Sequence, residues 1–250
     1  ITPDFCTPSC ACLVQDTIGA VNAAAFDLNA ACTGFAYSLD TAKRFLQTDD
    51  SMKYALVVSA EVLSRIVDFE DHTTCILFGD GAGAVVIERS EKMYSSYLAA
   101  DGSGGKVLYA RNNMPTHPFR TEPQDNYGEA FALANGYLFQ DGKEVYKFAT
   151  KALPTASSKA AEKIGFDIKE ADWFIPHQAN VRIIETAAKN FGVPMDKFII
   201  NLDKYGNTSS ASMPIAFDEA VRDGRIKKGQ KLCFVGFGAG LTMGAIILEY

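Results

Sequence analysis

The chain has 250 residues, 48% of them hydrophobic and 22% charged, with a formal net charge of −6. That is enough apolar material for a sizeable core, as one large domain or two packed halves, and it excludes a disordered chain. The acidity, with no long Lys/Arg run to offset it, argues against a general nucleic-acid binder.

Short β-branched runs alternate with longer helical patterns, which indicates an α/β fold with crossover helices. In chain order, a strand is expected at Ala25–Leu28, a helix at Thr33–Gln47, and strands at Tyr54–Ser59 and Ala84–Glu88. The polar stretch Asp101–Asp125 reads as a loop or lid, followed by a helix over Gly142–Ile164 and a strand at Trp173–Ile175. Helices at Val181–Phe191 and Ser209–Asp223 end at the stop residues Gly192 and Gly224, and strands at Lys231–Val235 and Ala245–Glu249 close the chain.

Two internal echoes imply related halves. Phe78–Glu88 resembles Phe237–Glu249, each a glycine-rich turn leading into an apolar strand. Phe26–Asn29, then Cys32 and a helix, resembles Ile199–Leu202, then Asn207 and a helix, which would make Cys32 and Asn207 equivalent. Such strand-to-helix turns can face each other across the join between halves, where pockets often form.

No apolar stretch reaches the ~18 residues of a membrane span, and the start lacks a basic segment followed by an apolar one, so a soluble, cytoplasmic protein is expected. The six cysteines lie mostly in apolar or small-residue strings and read as reduced thiols. Cys6, Cys10 and Cys12 cluster, but no second Cys/His pair at ligand spacing completes a zinc site, and no metal is expected.

Cys32, His177 and Asn207 each sit in a run of small residues and together read as one acyl-transfer site. A thiol can take an acyl group, an imidazole can donate a hydrogen bond or move a proton, and a carboxamide can hold a carbonyl oxygen without titrating. An ordinary thiol is only a few per cent ionised at neutral pH. A helix dipole of ~0.3–1 kcal/mol moves a pKa by less than one unit. His177 is therefore the natural second contributor, accepting the thiol proton or, as imidazolium, favouring the thiolate. Each residue also has a plainer reading: Cys32 as a buried filler, His177 as a structural residue at a strand end, and Asn207 as a turn residue after glycine.

Six motifs in order resemble those of the thiolase-like condensing enzymes, most closely the β-ketoacyl-acyl-carrier-protein synthase III family. They are Ala30-Ala-Cys-Thr-Gly-Phe35, Phe78-Gly-Asp-Gly-Ala-Gly83, Asp141-Gly-Lys-Glu-Val145, Pro176-His-Gln-Ala-Asn180, Tyr205-Gly-Asn-Thr-Ser-Ser-Ala-Ser212 and Gly236-Phe-Gly-Ala-Gly240. The resemblance implies a duplicated thiolase-like α/β fold, with residues 1–95 the remainder of the first half and 96–250 the second. Members of the family begin well upstream of Ile1, so the chain is expected to lack an N-terminal segment that carries core strands and part of the coenzyme A channel.

The same resemblance implies a decarboxylative condensation of a short acyl-coenzyme A primer with malonyl-acyl carrier protein, by a homodimer that uses coenzyme A thioesters as substrates and needs no cofactor. Cys32 would carry the acyl group, His177 and Asn207 would stabilise the enolate, and the backbone N–H groups of Cys32 and Ala239 would hold the oxyanion. Phe237, beside the Gly-rich turn, is expected to line the pocket. His72 stands where many relatives have an Arg beside the coenzyme A adenine, and Thr7 where many place an aromatic shaping the partner's acyl pocket, which leaves primer choice open. Arg182 and Lys189, seven apart on one expected helix, share a face, and with Lys147 they match the family's docking surface for the acidic carrier protein. Other readings with the same residues are a polyketide-type starter synthase, a papain-like hydrolase without the Cys-Gly-Ser-Cys-Trp signature, and an inactive fragment that binds acyl chains.

Overall fold

The computed structural model describes residues 1–110 and 136–250. Eight strands and six α-helices are named here: β1 Tyr54–Glu61, β2 Gly81–Glu88, β3 Tyr94–Ala100, β4 Leu108–Ala110, β5 Leu138–Gln140, β6 Trp173–Pro176, β7 Lys231–Gly238 and β8 Thr242–Glu249. The helices are α1 Cys10–Thr17, α2 Gly34–Thr48, α3 Gly142–Glu162, α4 Val181–Phe191, α5 Leu202–Tyr205 and α6 Ser212–Arg222.

A four-stranded sheet of order β3-β8-β7-β6, parallel only between β6 and β7, lies opposite the antiparallel β1–β2 pair. Strand β7 reads Leu-Cys-Phe-Val because it is central and covered on both faces, where polar alternation would bury unpaired groups. Cys233 and Val235 face one core with α3 and α4, while Leu232 and Phe234 face the other with α2 and α6. Helices α2 and α6 therefore fill the space between the sheets, and α3 and α4 cover the far face. Alanines at 149, 152, 156 and 160 recur at helical spacing and are fully or almost fully buried, which lets α3 settle close against the sheet.

Local signals explain the helix ends. Asp141 caps α3 through the Lys143 and Glu144 N–H groups at 3.1 Å each, and Asn180 caps α4 through the Arg182 N–H at 2.9 Å. Gly192 takes the left-handed conformation that closes α4, at φ 65°. The chain crosses from one sheet to the other over residues 89–93.

Three expectations need correction. Ala25–Leu28 is not a strand: no other strand among the described residues takes its backbone groups, and Phe26 is exposed, touching Phe45 at a ring distance of 6.1 Å. Within the expected loop from Asp101, residues 102–107 form a 3-10 helix and 108–110 form β4, paired with β5; residues 111–125 lie outside the described residues. The equivalence of Cys32 with Asn207 is off by three positions. Asn29 Oδ1 accepts from the Ala31 N–H at 3.1 Å, as Asn207 Oδ1 does from the Ser209 N–H at 2.9 Å, and each turn continues through a 3-10 segment into a helix. Ala31 and Ser209, at φ 47° and 51°, are the matching residues, so Asn29 pairs with Asn207 and Cys32 with Ser210.

Candidate active site

Cys32 occupies the tight turn between Asn29 and α2. The turn is pinned to β8, where the Thr33 and Thr242 hydroxyls meet at 2.8 Å. Behind it runs β7 at Gly238, where an added Cβ would lie 2.8 Å from the Cys32 nitrogen. Only glycine permits this approach. The sulfur is consequently buried, and burial pushes its pKa up to about 11, with the Glu61 carboxylate adding to the rise.

His177 follows β6 directly, and its N–H donates to the Val235 carbonyl at 2.8 Å, which extends the β6–β7 pairing by one residue. Gln178 then locks the strand end by donating to Pro176 and Ile199 carbonyls and accepting from the Asn201 N–H at 3.1 Å. Asn201 donates on to Glu219, which also accepts from the Tyr205 hydroxyl at 2.7 Å, two residues before Asn207. The histidine and the asparagine are thus braced through one polar chain. Burial lowers the His177 pKa to about 3, and its Nδ1 has no hydrogen-bond partner among the described residues. The resting pair is a thiol beside a neutral imidazole, because desolvation opposes both charges of the thiolate–imidazolium alternative.

Asn207 is held by the first half of the molecule. Its N–H donates to the Leu77 carbonyl at 2.8 Å, and its carbonyl accepts from the Gly79 N–H at 2.9 Å. A Cβ on Gly79 would fall 2.1 Å from the Tyr205 oxygen, so the Phe78-Gly-Asp-Gly segment is a seat for the Asn207 loop. With Oδ1 committed to the Ser209 N–H, the carboxamide leaves its NH₂ group without a hydrogen bond among the described residues. Cys32, His177 and Asn207 all line one cavity, together with Phe237, Ala239 and Ser209.

Comparison with known proteins agrees in every direction. The 3-oxoacyl-[acyl-carrier-protein] synthase III family matches residues 26–102, and its C-terminal family matches residues 161–250. The chain is 47% identical to the β-ketoacyl-[acyl-carrier-protein] synthase III of Clostridium acetobutylicum, covering 100% of this chain and 74% of that protein. The chain belongs to the 3-oxoacyl-[acyl-carrier-protein] synthase III family. Among solved structures, the synthase III of Thermus thermophilus superposes with a TM-score of 0.88 at 40% identity, over 100% of this chain and 75% of that one. The priming β-ketosynthase of the R1128 polyketide pathway superposes at 0.83 with 32% identity, over 100% and 72%. A thiolase-like α/β fold follows, and the papain-like reading is set aside.

The remaining positions expected of a synthase III fall in different places. Phe237 lines the cavity edge-on to His177, with ring centroids 5.4 Å apart. Arg182 and Lys189 are exposed on α4, and Lys147 is exposed on the adjoining α3, where it meets Glu144 at 3.5 Å. Asn180 and Tyr146, next to this basic face, line the cavity. Thr7 and His72 do not line it; Thr7 is exposed, and His72 sits on the surface 4.0 Å from the Cys75 sulfur.

Two further residues of the site escaped the sequence reading. Glu61, 3% exposed, ends β1 and accepts from the Ser210 hydroxyl at 2.7 Å and from the Thr2 N–H and hydroxyl. Its sequence signal is a carboxylate closing the run Ala55–Ala60, apolar but for Ser59. Ser209 lies within the Tyr205–Ser212 motif, where residue type alone does not set it apart from its serine neighbours. No helix among the described residues is long and apolar enough to cross a membrane, and no group of three or more His, Cys, Asp or Glu there could hold a metal ion.

Proposed function

We propose that this synthase III joins an acyl group carried as a coenzyme A thioester to malonyl-acyl carrier protein, with loss of carbon dioxide, to give a β-ketoacyl-acyl carrier protein and start fatty-acid synthesis. The observation that carries the site assignment is the convergence of Cys32, His177 and the free NH₂ of Asn207 on one cavity.

In the first half-reaction the Cys32 sulfur attacks the thioester carbonyl. The backbone N–H groups of Cys32 and Ala239 take the oxyanion, each such donor being worth ~3 kcal/mol. Coenzyme A leaves as its thiol with the proton from Cys32. In the second, the malonyl thioester carbonyl lies against His177 and Asn207. A neutral imidazole and a carboxamide NH₂ are hydrogen-bond donors that carry no net charge, so they stabilise the enolate formed on decarboxylation without first trapping the malonyl carboxylate. The enolate carbon then attacks acyl-Cys32, which releases the thiolate. Departure of carbon dioxide drives the carbon–carbon bond, and the scheme calls for no metal or other cofactor.

The exposed basic residues Arg182, Lys189 and Lys147 suit an acidic carrier protein approaching the cavity from the α3–α4 side. Homodimer assembly and a cytoplasmic setting belong to the same proposal. A second reading, a polyketide-type starter synthase, is favoured by the likeness to the R1128 priming enzyme. Incubation with acetyl-coenzyme A followed by peptide mass spectrometry should find acetyl on Cys32, and adding malonyl-acyl carrier protein should convert it to acetoacetyl-acyl carrier protein. A folded protein with no adduct would reject the enzyme, and profiling of primers separates the two biosynthetic settings.

A further inference from the structure

The Ser209 side chain lies in the wall of the catalytic cavity, alongside Cys32. It is 1% exposed, and its Oγ has no hydrogen-bond partner among the described residues, a costly state for a buried hydroxyl unless a bound or reacting atom satisfies it. The residue is also held at φ 51°, a conformation uncommon for anything but glycine. Neither feature is required by the loop. Bracing of Asn207 uses only the Ser209 backbone N–H, and the matching position of the first half, at φ 47°, is the alanine Ala31. A serine where alanine serves the backbone equally well leaves its oxygen for the cavity.

The groups that act on the Cys32 sulfur narrow the choice. Glu61 opposes a negative charge there, and burial opposes it more. The Cys32 N–H and, more strongly, the Ser209 hydroxyl favour it. His177, buried and neutral, contributes no positive charge. Ser209 is the side chain that shares the cavity with the sulfur and has a donor to spare.

We infer that Ser209 is a further catalytic residue of this site, donating a hydrogen bond to the Cys32 sulfur as the thiol gives up its proton and attacks the acyl group. The inference rests on the acyl-transfer reading above. In the step, a bond forms between the Cys32 sulfur and the acyl carbon, the bond from that carbon to the coenzyme A sulfur breaks, and the thiol proton ends on coenzyme A. Ser209 keeps its own proton throughout. The same hydrogen bond acts again when acyl transfer to the enolate returns the thiolate.

The test is Ser209→Ala in the full chain, followed by alkylation of Cys32 with iodoacetamide across pH, read by peptide mass spectrometry to separate it from the other five cysteines. Loss of one such bond corresponds to about tenfold, or one pH unit. Alkylation at a given pH and acetyl loading should each fall by about that factor. Malonyl decarboxylation should change by less than about threefold, because the Asn207 carboxamide keeps its backbone donor. An unchanged alkylation profile would overturn the inference, whether loading persists or falls together with decarboxylation as a loosened loop would cause. Ser209→Gly, relieved of the positive φ, gives the same readout should the alanine variant fold poorly. If the unaltered protein takes no acetyl group, the proposed function fails, while the alkylation profile still decides the hydrogen bond.

Discussion

Replacing Gly238 by alanine should disable the nucleophile through a displacement of its backbone. The new Cβ would stand 2.8 Å from the Cys32 nitrogen and 3.2 Å from both the Cys32 Cβ and the Thr33 nitrogen, where ordinary contact begins at 3.4 Å. The shortfall, 3.4 minus 2.8, is about 0.6 Å. Strand β7 cannot supply it, since it is paired with β8 along its length and with β6 over four residues. The 3-10 turn must therefore move, carrying the Cys32 N–H, one of the two proposed oxyanion donors. Complete loss of such a donor costs about 10²–10³ in rate, and a misplacement of about 1 Å can cost 10². Acetyl loading is expected to fall roughly 10- to 100-fold, with an overpacking penalty of ~1–3 kcal/mol in stability. Gly244→Ala is the control: its Cβ would meet Leu98 Cδ2 at 3.0 Å and Ala36 Cβ at 3.5 Å, away from the sulfur. It should lower the melting temperature by a few degrees while leaving loading within about threefold. Loading by Gly238→Ala within about twofold of the unaltered protein would refute the reasoning, as would an equal loss in both variants.

Other outcomes follow from the same geometry. Because burial pushes the Cys32 thiol up to about 11 and holds His177 down at about 3, alkylation of Cys32 in the resting protein should climb with pH past 9 without a plateau; levelling off below pH 8 would reveal an ion pair. Between an ordinary histidine pKa of about 6.5 and the folded value of about 3, the unfolded chain binds a proton that the folded one refuses, so stability should fall as pH drops through that window. Chemical denaturation should show His177→Gln losing less over this range. Asn207→Ala should retain acetyl loading and lose malonyl decarboxylation by about 10²-fold or more; loading lost with decarboxylation intact would reverse the assignment. Arg182→Glu should raise KM for malonyl-acyl carrier protein several-fold and leave that for acetyl-coenzyme A nearly unchanged, and steady-state kinetics with equal effects on both would remove the docking surface.

Much of this molecule is written in local pattern. The buried stripe of α4, its Asn180 cap and its Gly192 stop all act within a few residues, so Val181–Phe191 could be placed to the residue from sequence. The run Leu232–Val235 announces a strand covered on both faces for the same reason. Chemistry, too, is local at the level of type: thiol, imidazole and carboxamide name the reaction class wherever they lie. What a linear reading misses is partnership. Ala25–Leu28 has strand composition, yet a strand exists only where another chain segment accepts its hydrogen bonds. Residue matching paired Cys32 with Asn207, whereas the turns match Asn29 with Asn207 and place Cys32 opposite Ser210.

Sequence by itself therefore determined which side chains could carry an acyl group and where most helices begin and end, since those depend on residue type and near neighbours. Tertiary structure alone decided the rest: that Cys32 and His177 are both uncharged, that the Asn207 carboxamide offers its NH₂, and that Glu61 and Ser209 stand at the nucleophile. Each of these turns on burial or on a contact between residues far apart in the chain, and desolvation and hydrogen-bond direction have no value until the fold brings the groups together.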